Sequence, residues 1–242
     1  MTIRIAMWSG PRNLSTAMMR SFGSRSDTIV SDEPFYGAYL QATRDPQPMA
    51  IEVMDSMDCD WHSVARTMTG PKISDAPIWY QKHMAHHMVG PIAHDDLAGL
   101  THAFLIRDPA RVVASYAAKR VSVRPDHLGV ERQVEFFERE ADRLGRAPPV
   151  IDSSDILAEP PRMLEKLCGA LGIVWDRAML HWQPGIRETD GIWASHWYDA
   201  VARSTGFGPP DTRPIDLDDD ARRVADQCRP FYERLAAHRL RA

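Results

Sequence analysis

The feature that most constrains this chain lies near its N-terminus, where an apolar segment passes through a short polar turn into a helix. Residues 5–8 are Ile-Ala-Met-Trp, and residues 9–19 are Ser-Gly-Pro-Arg-Asn-Leu-Ser-Thr-Ala-Met-Met. The first turn of a helix has unpaired backbone N–H groups that attract an anion. We expect Asn13 to cap this helix. The segment therefore predicts a strand-to-helix loop that binds a phosphate group.

This loop differs from the P-loop of an ATPase. That pattern ends in Gly, Lys and Ser or Thr in succession, whereas this chain has Ser15, Thr16 and Ala17 at those places. The absence of the lysine and of the metal-binding hydroxyl disfavours a magnesium-dependent NTPase. The residues that we assign to the phosphate are Arg12, Asn13, Ser15 and Thr16. The alternative is an ordinary strand-to-helix turn that carries a surface arginine.

A second anion site is indicated further along the chain. Residues 102–106 form a short apolar run that suits a buried parallel strand. Arg107 follows this run, Asp108 is placed to cap the next helix, and Pro109 suits its first turn. Ser115 lies in the second turn of that helix, so a cation and a hydroxyl meet near one helix N-terminus and suit a second phosphate. The alternative is a structural helix with Arg107 paired to a carboxylate.

Both segments resemble the nucleotide-binding motifs of the sulfotransferases that use 3′-phosphoadenosine-5′-phosphosulfate (PAPS). In that family a Pro-Lys/Arg-Ser-Gly-Thr-Thr run holds the 5′-phosphosulfate. Residues 11–16 are similar, with Leu14 in the place of the glycine. Residues 107–116 match the family pattern Arg-(Asp/Asn)-Pro-x-x-Val-x-x-Ser-Tyr at every defined place. The resemblance implies PAPS as the donor, with Arg107 and Ser115 as ligands of the 3′-phosphate. A sulfuryl group carries less charge than a phosphoryl group, so we expect its transfer to need no metal.

A third segment is similar to the closing loop of the same family, Arg-Lys-Gly-x-x-Gly-Asp-Trp. Residues 187–193 are one residue shorter and lack the lysine. The resemblance implies that Arg187 also binds the 3′-phosphate, while Trp193 and Trp197 suit packing on a lid. The surrounding range 183–217 is rich in proline and glycine, so we expect a loop-rich lid or a simple connector there.

Two segments offer a catalytic base. Glu33 follows the second predicted strand, at the edge where strand ends converge on a ligand crevice, and some members of the superfamily carry a glutamate base there. The other segment follows the third strand, where cytosolic members have Lys-Thr-His. Here Lys82 matches the lysine, but Met84 stands in the histidine position. His86 or a neighbouring histidine within 83–87 is therefore the alternative base.

The predicted catalytic residues are thus Glu33, Arg12, Lys82 and His86. Arg12 would stabilise charge on the bridging oxygen of the donor, and the resemblance places Lys82 near the transferring group. Five apolar residues are candidates either for an acceptor pocket or for the core, namely Tyr36, Tyr39, Trp79, Tyr80 and Met88.

The order of short apolar runs and longer amphipathic segments predicts an α/β fold with helices on both faces of a sheet. With 242 residues, 44% of them apolar, the chain can bury one full core, so we expect a single domain over 1–242. The resemblance implies a P-loop-NTPase-like three-layer fold with a central, mostly parallel sheet. The predicted strands are 2–8, 28–32, 77–82, 102–107 and 148–152, and the predicted helices are 13–25, 50–69, 109–122, 127–145, 160–171 and 218–239.

The composition limits the kinds of binding partner that we expect for this chain. A net charge of −4 argues against a general nucleic-acid coat. The chain has neither a long apolar run nor a cationic leader, so we expect a cytoplasmic protein that does not enter a membrane. Its three cysteines lack the spacing of metal ligands, and we expect no metal. The oligomeric state is left open.

The function that we predict is transfer of a sulfuryl group from PAPS to a hydroxyl or amine of a small-molecule acceptor. A catalytically silent nucleotide-binding protein of the same fold is the second interpretation, and an ATP-dependent kinase is the third.

Overall fold

The computed structural model describes residues 2–71, 74–117 and 123–242. Within these residues, five parallel strands form one sheet in the order β2-β3-β1-β4-β5. The strands are β1 (Ile3–Ser9), β2 (Thr28–Asp32), β3 (Ile78–Met84), β4 (Thr101–Ile106) and β5 (Val150–Asp152). Strand β3 is buried along its whole length, and β1 and β4 are nearly so. Burial on both faces explains why these strands are continuous apolar runs rather than alternating ones.

Helices connect and cover these strands. In chain order they are α1 (Ser15–Phe22), α2 (Tyr36–Thr43), α3 (Ala50–Ser56), α4 (Trp61–Thr69), α5 (Pro109–Ala117), α6 (Pro125–Leu128), α7 (Val130–Leu144), α8 (Ser153–Ala158), α9 (Pro160–Ala170), α10 (Ala194–Trp197), α11 (Asp199–Ala202) and α12 (Asp219–Ala236). Short 3-10 turns occur at Ala85–His87, His94–Leu97 and Arg177–Leu180. Among the residues described, no helix is both long and apolar enough to traverse a bilayer.

The hydrophobic core has one layer on each face of the sheet. On one face, Met18 and Phe22 of α1 and Leu164 of α9 pack against the sheet. On the other face, Phe137 of α7 and Leu235 of α12 belong to a second buried cluster that also includes α4. A parallel sheet between two helical layers confirms the predicted α/β fold class.

The predicted strands agree with the structure to within two residues at each end. The predicted helix 50–69 divides into α3 and α4, because the Asp60 side chain accepts a hydrogen bond from the Ser63 N–H and starts a new helix. Helices α2 and α8 and the short helices α10 and α11 were not predicted. In α2 the five residues from Tyr36 to Leu40 are all buried, so no amphipathic period marks it. The predicted end of α5, residues 118–122, lies outside the described residues.

The predicted Asn13 cap is wrong. Helix α1 begins after Leu14, whose backbone is left-handed with φ 69°, and no side chain caps it. Asn13 is instead buried inside the loop. With its side-chain O and N exchanged, which gives both atoms a partner, the amide accepts from the Gly10 N–H and donates to the Pro11 carbonyl. The amide therefore stabilises the turn that precedes the helix.

Candidate functional site

The carboxyl ends of the strands meet at one edge of the sheet, and the residues that follow them line a cavity of about 340 Å³. The cavity lies at the place where open parallel sheets bind ligands. Of the predicted site residues it brings together Arg12, Ser15, Thr16, Glu33, Lys82, His86 and Arg107. Ser115 lines an adjoining cavity.

The first loop has an unusual backbone. Arg12 and Leu14 are both left-handed, with φ 61° and 69°, a conformation that non-glycine residues rarely adopt. Leu14 stands where the resembling family has glycine, and its backbone takes the conformation that glycine favours. At Gly10 a Cβ atom would lie 2.3 Å from the carbonyl oxygen of Leu128, so only glycine fits this close approach.

The two anion-binding segments predicted from the sequence are in direct contact. Arg12 Nε donates to Ser115 Oγ at 3.0 Å, and Arg107 Nη1 donates to the Arg12 carbonyl at 2.7 Å. Asp108 accepts hydrogen bonds from the N–H groups of Ala110 and Arg111, which confirms the predicted cap of α5. We refer to the residues that were predicted to bind the donor, namely Arg12, Ser15, Thr16, Arg107 and Ser115, as the donor half of the site.

The adjoining cavity has a volume of about 530 Å³, and its charged lining consists of four arginines and two aspartates. Its lining contains Arg12 and Arg107 together with Arg111 and Arg213, neither of which was predicted. Burial lowers the pKa of Arg107, and the nearby Asp211 carboxylate opposes this shift. A guanidinium group remains charged even after such a shift, so the cavity favours anions.

The structure does not bring Arg187 to either cavity. Its backbone N–H donates to Asp190 and its guanidinium is directed at the Gln183 carbonyl, 3.4 Å away. The reason is a buried ion pair between Arg20 of α1 and Asp190, with two nitrogen–oxygen contacts of 2.7 and 2.5 Å. This pair holds the turn around residues 185–191 against α1 and away from Arg107.

Lys82 lies at the centre of the other part of the site. Its Nζ donates to Asp32 Oδ1 at 2.8 Å, Glu33 Oε1 at 2.5 Å and the Tyr198 hydroxyl at 2.6 Å. The Lys82 side chain is 1% exposed and that of Glu33 is 12% exposed. Because Glu33, Lys82 and His86 are the predicted catalytic residues in this part, we refer to Asp32, Glu33, Lys82 and Tyr198, with the neighbouring His86 and His87, as the catalytic half of the site.

Burial and charge act in opposite directions in this network. Burial raises the pKa of Glu33, and the Lys82 ammonium opposes that shift. For Lys82 burial alone would lower the pKa, but the Asp32 and Glu33 carboxylates outweigh it and raise the pKa well above its ordinary value. Lys82 is therefore charged at neutral pH, and its charge favours the ionised form of Glu33.

Asp32 and Tyr198 were not predicted as site residues. Both Asp32 oxygens accept from the Tyr198 hydroxyl, and Oδ2 also accepts from the Gly191 N–H at 3.1 Å. Trp193 Nε1 donates to the same hydroxyl at 3.2 Å. Asp32 immediately precedes Glu33 at the end of β2, so its position in the sequence could have predicted that it belongs to the site. Tyr198 carries no comparable signal, because it follows a loop that is distant in sequence.

The histidines after β3 occupy different environments. His83 lies on the opposite side of the sheet from the cavity, stacked on Trp8 with ring centroids 4.5 Å apart, and burial lowers its pKa to about 3. His87 stacks on Tyr36 and places Nε2 3.9 Å from Glu33. Burial, together with nearby cationic groups, lowers the pKa of His87 well below its ordinary value. His86 lines the cavity.

The aromatic lining differs from the one predicted. Of the five apolar candidates for an acceptor pocket, only Tyr36 lines the cavity, while Trp79 and Tyr80 are core residues. Tyr39 and Met88 also belong to the buried clusters. The other aromatic residues around the cavity are Tyr116, Trp193, Trp197, Tyr198 and Phe207.

A separate buried cluster of His94, His102 and Glu140 has ligand atoms within 4.8 Å of one another. His102 Nδ1 accepts from Trp8 Nε1, and its Nε2 lies 3.1 Å from the Leu97 carbonyl. Both Glu140 oxygens accept from an arginine on the next turn of α7. An ion here would displace these hydrogen bonds, so the cluster is best described as a polar network that joins α7 to β4.

The chain matches one family model and two plant relatives whose names refer to a different activity. The family model described as the sulfotransferase domain matches residues 3–239. The chain is 31% identical over 236 residues to branched-chain-amino-acid aminotransferase-like protein 2 of Arabidopsis thaliana, and 32% identical over 240 residues to aminotransferase-like protein 1 of the same plant. Each match covers 97% of this chain but 41% and 42% of the relatives. The chain therefore spans about two fifths of their length.

Solved structures with similar folds include two bacterial proteins. The sulfotransferase domain of the Synechococcus PCC 7002 olefin synthase is 15% identical, with a TM-score of 0.53 and 94% of both chains covered. The sulfotransferase from Alicyclobacillus acidocaldarius is 13% identical, with a TM-score of 0.57 and 99% and 97% of the two chains covered. At such low identity the likeness shows the fold, which agrees with the parallel sheet described above.

Proposed function

Because this chain belongs to the sulfotransferase domain family, we propose that it transfers a sulfuryl group from PAPS to a hydroxyl or amine of a small-molecule acceptor. The observation that supports this proposal is the contact between the two anion-binding segments, in which Arg12 bonds Ser115 and Arg107 bonds the Arg12 carbonyl. PAPS carries negative charge at its 5′-phosphosulfate and at its 3′-phosphate. Two adjoining cationic cavities suit these two ends.

In the proposed reaction the bond between sulfur and the bridging oxygen of the donor breaks, and a bond between sulfur and the acceptor oxygen or nitrogen forms. The bridging oxygen keeps the bonding electrons and leaves with adenosine 3′,5′-bisphosphate. Arg12 is the cation that we assign to this oxygen, and positioning with charge stabilisation supplies most of the rate enhancement in such transfers. The hydroxyls of Ser15 and Thr16 would bind the 5′-phosphosulfate end of the donor. The backbone N–H groups in the first turn of α1 would bind the same end.

Glu33 is the residue that we propose as the base. Its carboxylate lines the cavity, and the proton of the acceptor would pass to it as the new bond forms. Burial raises the pKa of Glu33 and so favours uptake of a proton, whereas the Lys82 ammonium opposes this shift and favours the carboxylate. His86 is the alternative base, because it lines the same cavity.

The proposal is tested first by isothermal titration of the protein with adenosine 3′,5′-bisphosphate, beside ATP with magnesium. We expect the bisphosphate to bind with a Kd in the micromolar range or below, and ATP with magnesium to bind much more weakly. Failure of the bisphosphate to bind would contradict the donor assignment. Tight binding of ATP with magnesium instead would favour a kinase.

A catalytically silent nucleotide-binding protein is the second candidate. Lys82 favours it, since an ammonium group has three N–H donors and Asp32, Glu33 and Tyr198 accept all three. Lys82 could reach a transferring group only by giving up one of these bonds. A screen of hydroxyl and amine acceptors with PAPS separates the two candidates: release of the bisphosphate with any acceptor excludes the silent protein, and tight binding without turnover supports it.

A further inference from the structure

The cationic cavity beside the donor half contains a carboxylate at its centre. Asp211 Oδ2 lies 3.6 Å from Arg107 Nη2 and 3.7 Å from Arg111 Nη1. Asp211 also accepts from Arg213, with Nε at 2.9 Å and Nη2 at 3.1 Å. Three guanidinium groups therefore surround one carboxylate, and a fourth, that of Arg12, lines the same cavity.

The charges in this cluster are unequal. The two oxygens of Asp211 contact three guanidinium groups, each of which carries a full charge and several N–H donors. Even when Asp216 is counted, four arginines line this cavity with two carboxylates. A phosphate monoester has roughly two negative charges and three terminal oxygens, so it would neutralise and bond the cluster more completely than Asp211 does. The hydrogen bonds from Arg213 lower the pKa of Asp211 to about 2, so the carboxylate is ionised at all ordinary pH values.

The contacts of Asp211 also differ in length. Those to Arg107 and Arg111 are long ion pairs, whereas the contact to Arg213 lies within hydrogen-bond distance. The Asp211 side chain is 24% exposed. Solvent screens such pairs, so an anion with stronger contacts can replace the carboxylate at Arg107 and Arg111 while the local pair with Arg213 persists.

We propose that Asp211 is an internal anion that occupies the guanidinium cluster of Arg107, Arg111 and Arg213, and that a phosphate monoester of the bound nucleotide displaces it. Arg111 and Arg213 then become ligands of this phosphate together with Arg107. This inference rests on the proposed function, because the nucleotide that carries the second phosphate is the reaction's donor or product.

Asp211 belongs to a segment that contributes to both cavities, so its displacement would affect both. Residues 206–208 line the first cavity, and residues 211 and 213–216 line the second. One segment therefore forms part of the wall of both cavities. Replacement of Asp211 by a phosphate would release the segment from Arg107 and Arg111 and change the wall of the first cavity beside Phe207.

The test compares Asp211→Asn with wild type by isothermal titration at fixed, low ionic strength. The probes are adenosine 3′,5′-bisphosphate and 5′-AMP, which lacks the 3′-phosphate. The variant removes the competing charge without changing the shape of the side chain, so we expect the bisphosphate to bind more tightly. The gain should be only about three- to tenfold, because each partly exposed ion pair contributes little. The affinity for 5′-AMP should be unchanged. Arg111→Gln should weaken bisphosphate binding about tenfold.

Asp216→Asn is the matched control, since Asp216 lines the same cavity in the same segment. An equal gain of bisphosphate affinity in both variants would overturn the inference. It would show that removal of any negative charge from the cavity has this effect, whether or not Asp211 is displaced. An unchanged or weaker affinity of Asp211→Asn would also overturn it, while bisphosphate binding by wild type would leave the proposed function intact. Binding by neither would contradict both proposals.

Discussion

The donor half and the catalytic half of this site are built in different ways. The donor half comes from two contiguous segments, each a strand end followed by a loop and a helix, and its arginines are partly exposed. The catalytic half joins side chains from β2, β3 and the region after α10, and its ion pairs are buried. Loss of a donor-half residue should therefore weaken nucleotide binding, whereas loss of a catalytic-half residue should affect turnover or the stability of the fold.

Glu33→Gln gives the largest expected effect on activity. The amide cannot accept the acceptor's proton, so we expect turnover to fall roughly 10²- to 10⁴-fold, with bisphosphate affinity nearly unchanged. Wild-type turnover should fall as the pH decreases, because only the carboxylate acts as a base and burial raises the pKa of Glu33. Initial rates with the acceptor found by screening, measured across pH, test both statements.

His86→Ala is the companion variant for this measurement. It should keep most of the turnover and the same acidic limb of the pH profile. If His86→Ala loses turnover and Glu33→Gln retains it, the base belongs to the histidine segment and the assignment of Glu33 is wrong.

Lys82→Met tests the stability of the catalytic half. The substitution leaves the Asp32 and Glu33 carboxylates without their shared cation, and breaking such a buried pair costs about 3–5 kcal/mol of unfolding free energy. Urea denaturation measures this loss. Arg124→Ala is the control, because Arg124 and Asp126 form a pair that is mostly exposed, and its removal should cost less than about 1 kcal/mol. Equal losses would contradict the difference between buried and exposed pairs.

Arg107→Ala tests the donor half. Because a charged hydrogen bond to phosphate contributes about 2 kcal/mol, bisphosphate binding should weaken about 30-fold, with a much smaller loss for 5′-AMP. Titration calorimetry with both nucleotides measures the difference, and Arg162→Ala, at an exposed pair with Glu159, should change neither affinity. Equal losses of affinity for the two nucleotides would show that Arg107 does not contact the 3′-phosphate.

Acid should destabilise the protein through its buried neutral histidines, among them His87 of the catalytic half. Since burial lowers the pKa of His87, the unfolded chain takes up a proton first as the pH falls. The unfolding free energy should therefore decrease as the pH falls below about 6.5, by about 1.4 kcal/mol per pH unit for each such histidine. His87→Gln should reduce this slope in urea titrations, whereas the same change at the exposed His62 should not.

Leu14 provides the smallest expected effect. At most positions alanine is preferred to glycine, but the left-handed backbone of Leu14 reverses this preference. Leu14→Gly should therefore be more stable than Leu14→Ala by about 1 kcal/mol. Thermal unfolding of the two variants tests this order, and the opposite order would show that the loop relaxes out of the left-handed conformation.

Much of the donor half could be predicted because its signals are local. The strand end, the cap and the first-turn proline placed Arg107, Asp108 and Ser115 where the structure has them. The match of the sulfotransferase domain to residues 3–239 confirms the family resemblance drawn from the two motifs. The cap at Asn13 was wrong because a left-handed Leu14 changes the direction of the chain before the helix begins.

The catalytic half was harder to predict because its partners are far apart. Tyr198 bonds Asp32 across 166 residues, and no periodicity or spacing connects the two positions. The choice among the histidines also depended on the fold, since strand alternation directs Lys82 to the cavity and His83 to the opposite face. Arg213 and Asp211 lie in a segment for which composition predicted only a loop.

The buried pair between Arg20 and Asp190 has a consequence for the path by which ligands reach the site. Together with the bonds from Gly191 and Tyr198 to Asp32, it fastens residues 190–198 to α1 and β2. Movement of this part would expose unpaired charges. Residues 211–216 are held less strongly, because the contacts of Asp211 with Arg107 and Arg111 are long and partly exposed. We therefore expect nucleotides to enter and leave past this second segment, with the first as a fixed wall.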